Sequence, residues 1–205
     1  NCWFGIKSEI MKRIFFLIIL FIFQFNSSAQ EFNAGILSGL STTQVSGDNL
    51  AGYNKAGLII GGFVNRDISQ SLALQIEMMY IQKGSSNPKV ENLIAEINLE
   101  YIEIPLILIL KSSEKINFDF GIHISALIDG YYKDIYGILE NQIEFSDYEF
   151  GAIGGIAYKL NEKISLCTRL SNSIIPIANH ASGQTYRLNK GKYNTGLNFI
   201  ISYKL

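Results

Sequence analysis

The chain has 205 residues, with 17 Lys and Arg against 18 Asp and Glu, for a formal net charge of −1. Hydrophobic residues make up 48% and charged residues only 17%, below the roughly 25% charge of soluble domains. This balance excludes a basic nucleic-acid footprint, a polyanionic tail and general disorder, and leaves an excess of hydropathy to be located.

The first element is apolar and short. Met11-Lys12-Arg13 precedes an unbroken apolar run from Ile14 to Phe23, then Ser27 and Ala29 stand at −3 and −1 of a small-x-small site. These are the parts of a cleavable signal peptide. A helix over that run covers about 15 Å, half of a roughly 30 Å hydrocarbon core, so removal is expected rather than a permanent transmembrane helix. Residues 1–10 fit no part of a signal peptide and read as an upstream extension. The chain therefore divides into 1–10, a signal peptide at 11–29 and a barrel domain at 30–205. Cys2 falls in the extension, which leaves Cys167 in the mature part. A single cysteine supports neither a disulfide nor a multi-cysteine metal site, and none stands after the apolar run to carry a lipid.

From residue 31 onward the pattern has period two, the signature of strands with one apolar face. Eight strands are expected, at about 31–40, 55–66, 71–83, 97–110, 116–130, 147–160, 163–171 and 192–204. In the third, Leu72, Leu74, Ile76, Met78 and Tyr80 oppose Ala73, Gln75, Glu77 and Met79. In the fifth, Phe118, Phe120, Ile122, Ile124, Ala126 and Ile128 oppose Asn117, Asp119, Gly121, His123, Ser125 and Leu127. The seventh connection leads to a last strand whose face runs Tyr193, Thr195, Leu197, Phe199, Ile201, Tyr203 and Leu205. Two strands resist assignment. The second has an ambiguous phase through Gly57, Gly61 and Gly62; in the fourth, Glu103 breaks the alternation. Pro105 implies a bulge or a locally unpaired position there.

The connections alternate in length. Those at 41–54, 84–96, 131–146 and 172–191 are long; those at 67–70, 112–115 and 161–162 are tight. Tight turns on one rim and long loops on the other describe an all-β, eight-stranded antiparallel up-and-down transmembrane β-barrel, with short periplasmic turns and longer extracellular loops. Tyr80, Tyr131, Tyr132, Tyr148 and Tyr193 near the long-loop ends, with Phe118, Tyr158 and Tyr203 near the turns, match two interfacial aromatic girdles.

The fourth strand also carries a family resemblance. Leu99-Glu100-Tyr101-Ile102-Glu103-Ile104-Pro105-Leu106-Ile107-Leu108 resembles the LxYLEIPLLLK segment of the PorT-like outer-membrane β-barrel proteins of Bacteroidetes. Ser28-Ala29-Gln30, the Gly-rich opening from Gly35 to Leu40 and the Tyr-Lys-Leu terminus are similar to theirs as well. The resemblance spans about 31–205 and implies an eight-stranded barrel in the outer membrane, without implying the founding member's role in secretion.

A lumen of eight strands is just wide enough for its own side chains. Its polar candidates are Gln75, Glu77, Asn98, Glu100, Asp119, His123, Lys159, Arg169, Asn198 and Lys204. Mixed charges in a closed lumen are expected to pair, because isolated buried charge is very costly. A structural polar cluster of Glu77, Glu100, Asp119, His123, Arg169 and Lys204 follows. Asp119, His123 and Ser125 share a face, but residues two apart on a strand sit about 7 Å apart. They form no triad without cross-strand help. Gly151-x-x-Gly154-Gly155 lies inside a strand, where small residues relieve crowding rather than cradle phosphate. Neither catalytic residues nor a cofactor or metal site is expected. Loop recognition falls to Tyr131, Tyr132, Tyr136, His180 and Tyr186.

The expected function is that of an integral outer-membrane protein with a structural or interaction role: envelope anchoring, adhesion, or a subunit of an envelope complex. A small porin-like or transport-associated barrel is the first alternative, and a soluble lipocalin-like ligand-binding barrel, with its apolar face inward, the second. Expected partners are outer-membrane lipid, periplasmic chaperones and the barrel-assembly machinery during biogenesis, and a protein reached through the extracellular loops. Nucleic acid is not among them.

Overall fold

The computed structural model describes residues 32–48, 50, 52–87, 96–140, 144–179 and 191–205. The signal-peptide segment at 11–29, His180 and Tyr186 lie outside these residues. The alternating segments form β1 (Phe32–Ser46), β2 (Lys55–Ser69), β3 (Leu72–Ser86), β4 (Glu96–Lys111), β5 (Ile116–Lys133), β6 (Ile138–Leu139), β7 (Tyr148–Lys159), β8 (Ile164–Ser173) and β9 (Tyr193–Lys204). Apart from the two-residue β6, which folds back on the end of β5, each strand pairs antiparallel with its chain neighbours. β1 also pairs with β9 and closes the cylinder, so neither terminal strand leaves a free edge.

The register fixes the barrel's geometry. Ala34 pairs with Val64, and the row continues through Ile76, Leu106, Ile122, Ala152, Asn172 and Thr195. Thr195 meets β1 again at Gln44, ten residues along from Ala34. Ten residues of rise against eight inter-strand spacings tilts the strands by about 40° from the axis, inside the range that closed barrels adopt.

Polarity along the wall reverses with height. Over the lower and middle wall the outward side chains are apolar and exposed, among them Ile36, Leu40, Leu58, Ile60, Ile76, Met78, Leu106, Ile122, Ile156 and Ile201. Polar residues point in over the same stretch: Gln75, Glu77, Asp119, His123, Arg169 and Asn198 are buried. Toward the long-loop rim the arrangement inverts. Ile97, Leu99 and Tyr101 of β4 face inward, fully buried, while Asn98 and Glu100 between them face outward. Val45, Leu50, Ile81, Tyr132 and Ile177 join that apolar interior. A wall in hydrocarbon puts its greasy face out, and a wall that has left the bilayer folds like a soluble barrel. Tyr80 and Tyr148 stand on the outer face near the upper change of solvent, and Phe118, Tyr158 and Tyr203 near the lower.

Several expectations are corrected here. β1, β3 and β5 run further toward the long-loop rim than their alternation indicated, since Ser41-Thr42-Thr43-Gln44 and its counterparts leave the lipid and lose the apolar signal. Odd-numbered residues face inward throughout β4, and in β2 as far as Asn65, before the register shift between Asp67 and Ser69. Glu103 is therefore in the lumen, while Asn98 and Glu100 are not, because the outer wall at their height is no longer in hydrocarbon. The bulge between β4 and β5 lies at Ile128, away from Pro105. Beside Pro105 the β3–β4 pairing is interrupted between Ile76–Leu106 and Met79–Glu103, as a residue without an N–H requires.

Candidate functional site

The lower lumen is organised around one arginine. Asp119, Gly155 and Arg169 occupy one cross-strand row of β5, β7 and β8. A Cβ on Gly155 would come within 2.7 Å of the Arg169 Cγ, so only glycine lets that side chain cross to β5. Arg169 donates from Nη1 to both Glu77 carboxylate oxygens at 2.8 Å, and from Nε to Asp119 Oδ2 at 2.9 Å. The network continues downward through amides: Gln75 donates to Glu77 Oε1 at 2.6 Å, Asn65 to Gln75 at 3.0 Å, and Asn33 to Asn65 at 3.1 Å. All three ionic groups are almost completely buried, so the guanidinium's two-sided fork carries the desolvation cost of both carboxylates.

A second cluster sits higher. Lys83 Nζ donates to Glu103 Oε2 at 2.6 Å and to Glu149 Oε1 and Oε2 at 3.1 and 3.2 Å. Ser125 Oγ donates to Glu103 at 3.0 Å, and His123 Nδ1 lies 3.1 Å from Ser125 Oγ. Asn194 Nδ2 donates to Glu149 Oε2 at 2.8 Å, and Lys83 also lies over the Tyr101 ring. His123 faces Gly151, where a Cβ would approach Nε2 to 2.1 Å. Gly151 and Gly155 thus form two inward notches in β7, one per cluster. Gly154 points outward with nothing within 4 Å of its would-be Cβ.

Of the residues expected in the polar cluster, Glu77, Asp119 and Arg169 meet in the lower network and His123 belongs to the upper one. Lys204 lines the lower mouth, outside both, and Glu100 takes part in neither. Glu100 instead accepts from Gln82 at 3.4 Å on the outer wall. Lys83, Glu103 and Glu149 were not among the expected lumen residues. Lys83 and Glu149 share the parity of inward residues on their strands and were detectable; Glu103 was hidden by the unassigned phase of β4. His123, Ser125 and Glu103 touch, but they are buried within the network, and their contacts are those of an ion-pair lattice. Among the described residues no His, Cys, Asp and Glu group is arranged to hold a metal ion.

The rim of long loops separates its tyrosines. Tyr132 points inward, is only 3% exposed, stacks on Phe145 at 4.7 Å and accepts from Lys192 Nζ at 3.1 Å. It is a core residue of the upper wall and not a recognition residue, because β5 changes phase at the Ile128 bulge. Tyr131 faces out and accepts from Asn98 at 2.6 Å. Tyr136 is 83% exposed at the tip of the β5–β6 hairpin. There Asp134 Oδ1 accepts from the N–H groups of Tyr136 and Gly137 at 2.7 and 2.9 Å. Gly137 takes a φ of +145°, a conformation that favours glycine. At the same end of the barrel, burial pushes the Asp48 carboxyl above its ordinary value, and burial pulls Lys192 down.

Comparisons with known proteins agree with this geometry. The family model described as an outer membrane protein beta-barrel domain matches residues 24–179. The crystal structure of Ail, the attachment invasion locus protein of Yersinia pestis, superposes with a TM-score of 0.50 at 10% identity, covering 85% of this chain and 99% of that one. Neisserial surface protein A covers 85% and 97% at 13% identity, with a TM-score of 0.49. No curated protein matches by sequence. At these identities the superposition on Ail speaks for the fold alone.

Proposed function

Because the chain belongs to the outer membrane protein beta-barrel domain family and is an outer-membrane protein, we propose that it works as a closed barrel with a structural or interaction role and not as a channel. The reading rests on a lumen blocked at two levels. The Arg169 network closes the lower part and the Lys83 network the upper, with Met79, Ile153 and Ile200 among the buried residues. A hydrated ion would have to break a buried ion pair to pass, at a cost of several kcal/mol. The interaction surface is the loop rim, where the Asp134 turn presents Ile135 and Tyr136 to solvent; the partner is a protein outside the cell. Catalysis plays no part in this reading.

Reconstitution in planar bilayers tests it. The expected result is a membrane without steady conductance. Stable unitary currents from the wild-type barrel would overturn the closed reading in favour of the porin-like one. The interaction arm is tested by surface display: Ile135→Ser with Tyr136→Ser is expected to lower cell adherence at unchanged barrel abundance, and unaltered adherence would remove the hairpin from the account.

A further inference from the structure

The lower end of the lumen is not filled. A cavity of about 660 Å³ opens at the short-turn rim and ends inside at Arg169 and Asp119. Its size lies in the range of small-ligand sites. Lysines are unevenly placed around it. Lys159 donates its backbone N–H to the Lys115 carbonyl at 2.8 Å, and Lys204 donates to the Lys163 carbonyl at 2.8 Å. Two pairs of lysines are thus held side by side by the ladder, and all four line the cavity. The arc that carries them runs from the β4–β5 turn through the ends of β7, β8 and β9.

Lys111, at the end of β4 next to this arc, is already matched: its Nζ lies 2.7 Å from Asp67. Glu114 and Glu162 share the rim. Among the described residues, neither forms an ion pair with Lys115, Lys159, Lys163 or Lys204; Lys163 rests over the Tyr203 ring at 5.6 Å. Like charges side by side on a sheet destabilise it. The ladder nevertheless gathers four lysines on one arc at the mouth of a cavity whose Asn33, Asn65 and Gln75 wall supplies further polar contacts.

We propose that this periplasmic vestibule binds an anionic ligand with at least two carboxylate or phosphate groups, held by the lysines of the Lys115–Lys159 and Lys163–Lys204 arc that line it. The same chemistry is offered by a free polyanionic solute and by the acidic end of a peptide, and the vestibule accepts either through the same contacts. Binding is carried by attraction between the lysines and the anion, so its affinity falls as salt rises. It leaves the Arg169 network and the closed upper lumen in place.

Titration calorimetry on the full barrel in phosphatidylcholine nanodiscs tests this at low ionic strength. The probes are inorganic pyrophosphate, citrate and an N-acetylated, amidated tri-glutamate peptide. Saturable binding of at least one probe is expected. It should weaken by about tenfold or more, the loss of a charge-assisted contact, in Lys159→Gln/Lys204→Gln and in Lys115→Gln/Lys163→Gln. Lys133→Gln, on the opposite rim, should leave it unchanged. Response to the peptide alone identifies a peptide end as the ligand; equal response to pyrophosphate or citrate identifies a free solute. Absence of binding to all three probes overturns the proposal. So does binding that survives in both double variants or falls equally in Lys133→Gln. Because Lys115 and Lys163 are exposed and sit in turns, the Lys115→Gln/Lys163→Gln variant folds even if the other does not.

Discussion

Arg169 touches Glu77 through both carboxylate oxygens and Asp119 through a third, and the space it crosses exists because position 155 has no side chain. Removing the guanidinium strands two buried carboxylates. Arg169→Ala is therefore expected to lower stability by about 3–5 kcal/mol, measured by urea unfolding in lipid vesicles. Replacing the trio together (Glu77→Gln, Asp119→Asn and Arg169→Met) should recover most of that loss; a triple variant as unstable as the single one would contradict the ionic account. Asp48, outside the bilayer, provides a pH test. Burial raises its folded pKa above the unfolded value, so the folded state binds the proton more tightly. Its favourable contribution is full below the unfolded pKa and lost as pH rises through the folded one. Asp48→Asn is accordingly expected to raise Tm at neutral pH and to change it little in acid, with thermal melts as the readout. A larger gain in acid would reverse the sign and refute the assignment.

A strand of this protein meets three environments along its length, and its two faces must suit each. On β3, Ile76 lies in the lipid-facing band while Gln82 sits above it among Tyr80 and Glu100. Ile76→Lys should cost about 2–4 kcal/mol and Gln82→Lys no more than about 1 kcal/mol, following the depth dependence of charge on a barrel's outer wall. Similar costs at both sites would mean that the band boundary is misplaced. β7 tests the inward notches. Gly151→Ala pushes a methyl group into His123 and is expected to destabilise by about 1–3 kcal/mol, an overpacking penalty. Gly154→Ala, three residues along on the lipid face, should be neutral to within about 0.5 kcal/mol. Both are read from chemical unfolding of the refolded barrel.

At the scale of the molecule, closure and stagger act together. The β1–β9 ladder removes the edges that a bilayer cannot satisfy. The ten-residue stagger then sets a diameter that side chains alone can fill. That filling is why bilayer recordings are expected to be silent: among the described residues the two ionic networks and the buried apolar side chains block the lumen above the vestibule at the short-turn rim. The outward apolar band also separates this barrel from a ligand-binding barrel of the soluble kind, whose apolar face is inside.

The order of the strands, their antiparallel pairing, the alternation of turns with loops and the outer-membrane setting were all legible in the amino-acid order. Period two and loop length are local properties, and a lipid-facing wall writes them plainly, as in Leu72 to Tyr80 and Phe118 to Ile128. The upper wall was less legible because its polarity code inverts where the solvent changes, so Asn98 and Glu100 read as lumen residues and β1 seemed to end early. The ionic clusters were half legible: Glu77, Asp119 and Arg169 announced themselves by type and phase. Which partners they take depends on register across strands up to 92 residues apart, as for Arg169 and Glu77. The same holds for Lys115 beside Lys159 and Lys163 beside Lys204, neighbours only in the closed ladder. Composition and periodicity decide which solvent each face meets, since burial free energy is summed residue by residue; the barrel's closure decides which charges meet, because that is set by distance in space.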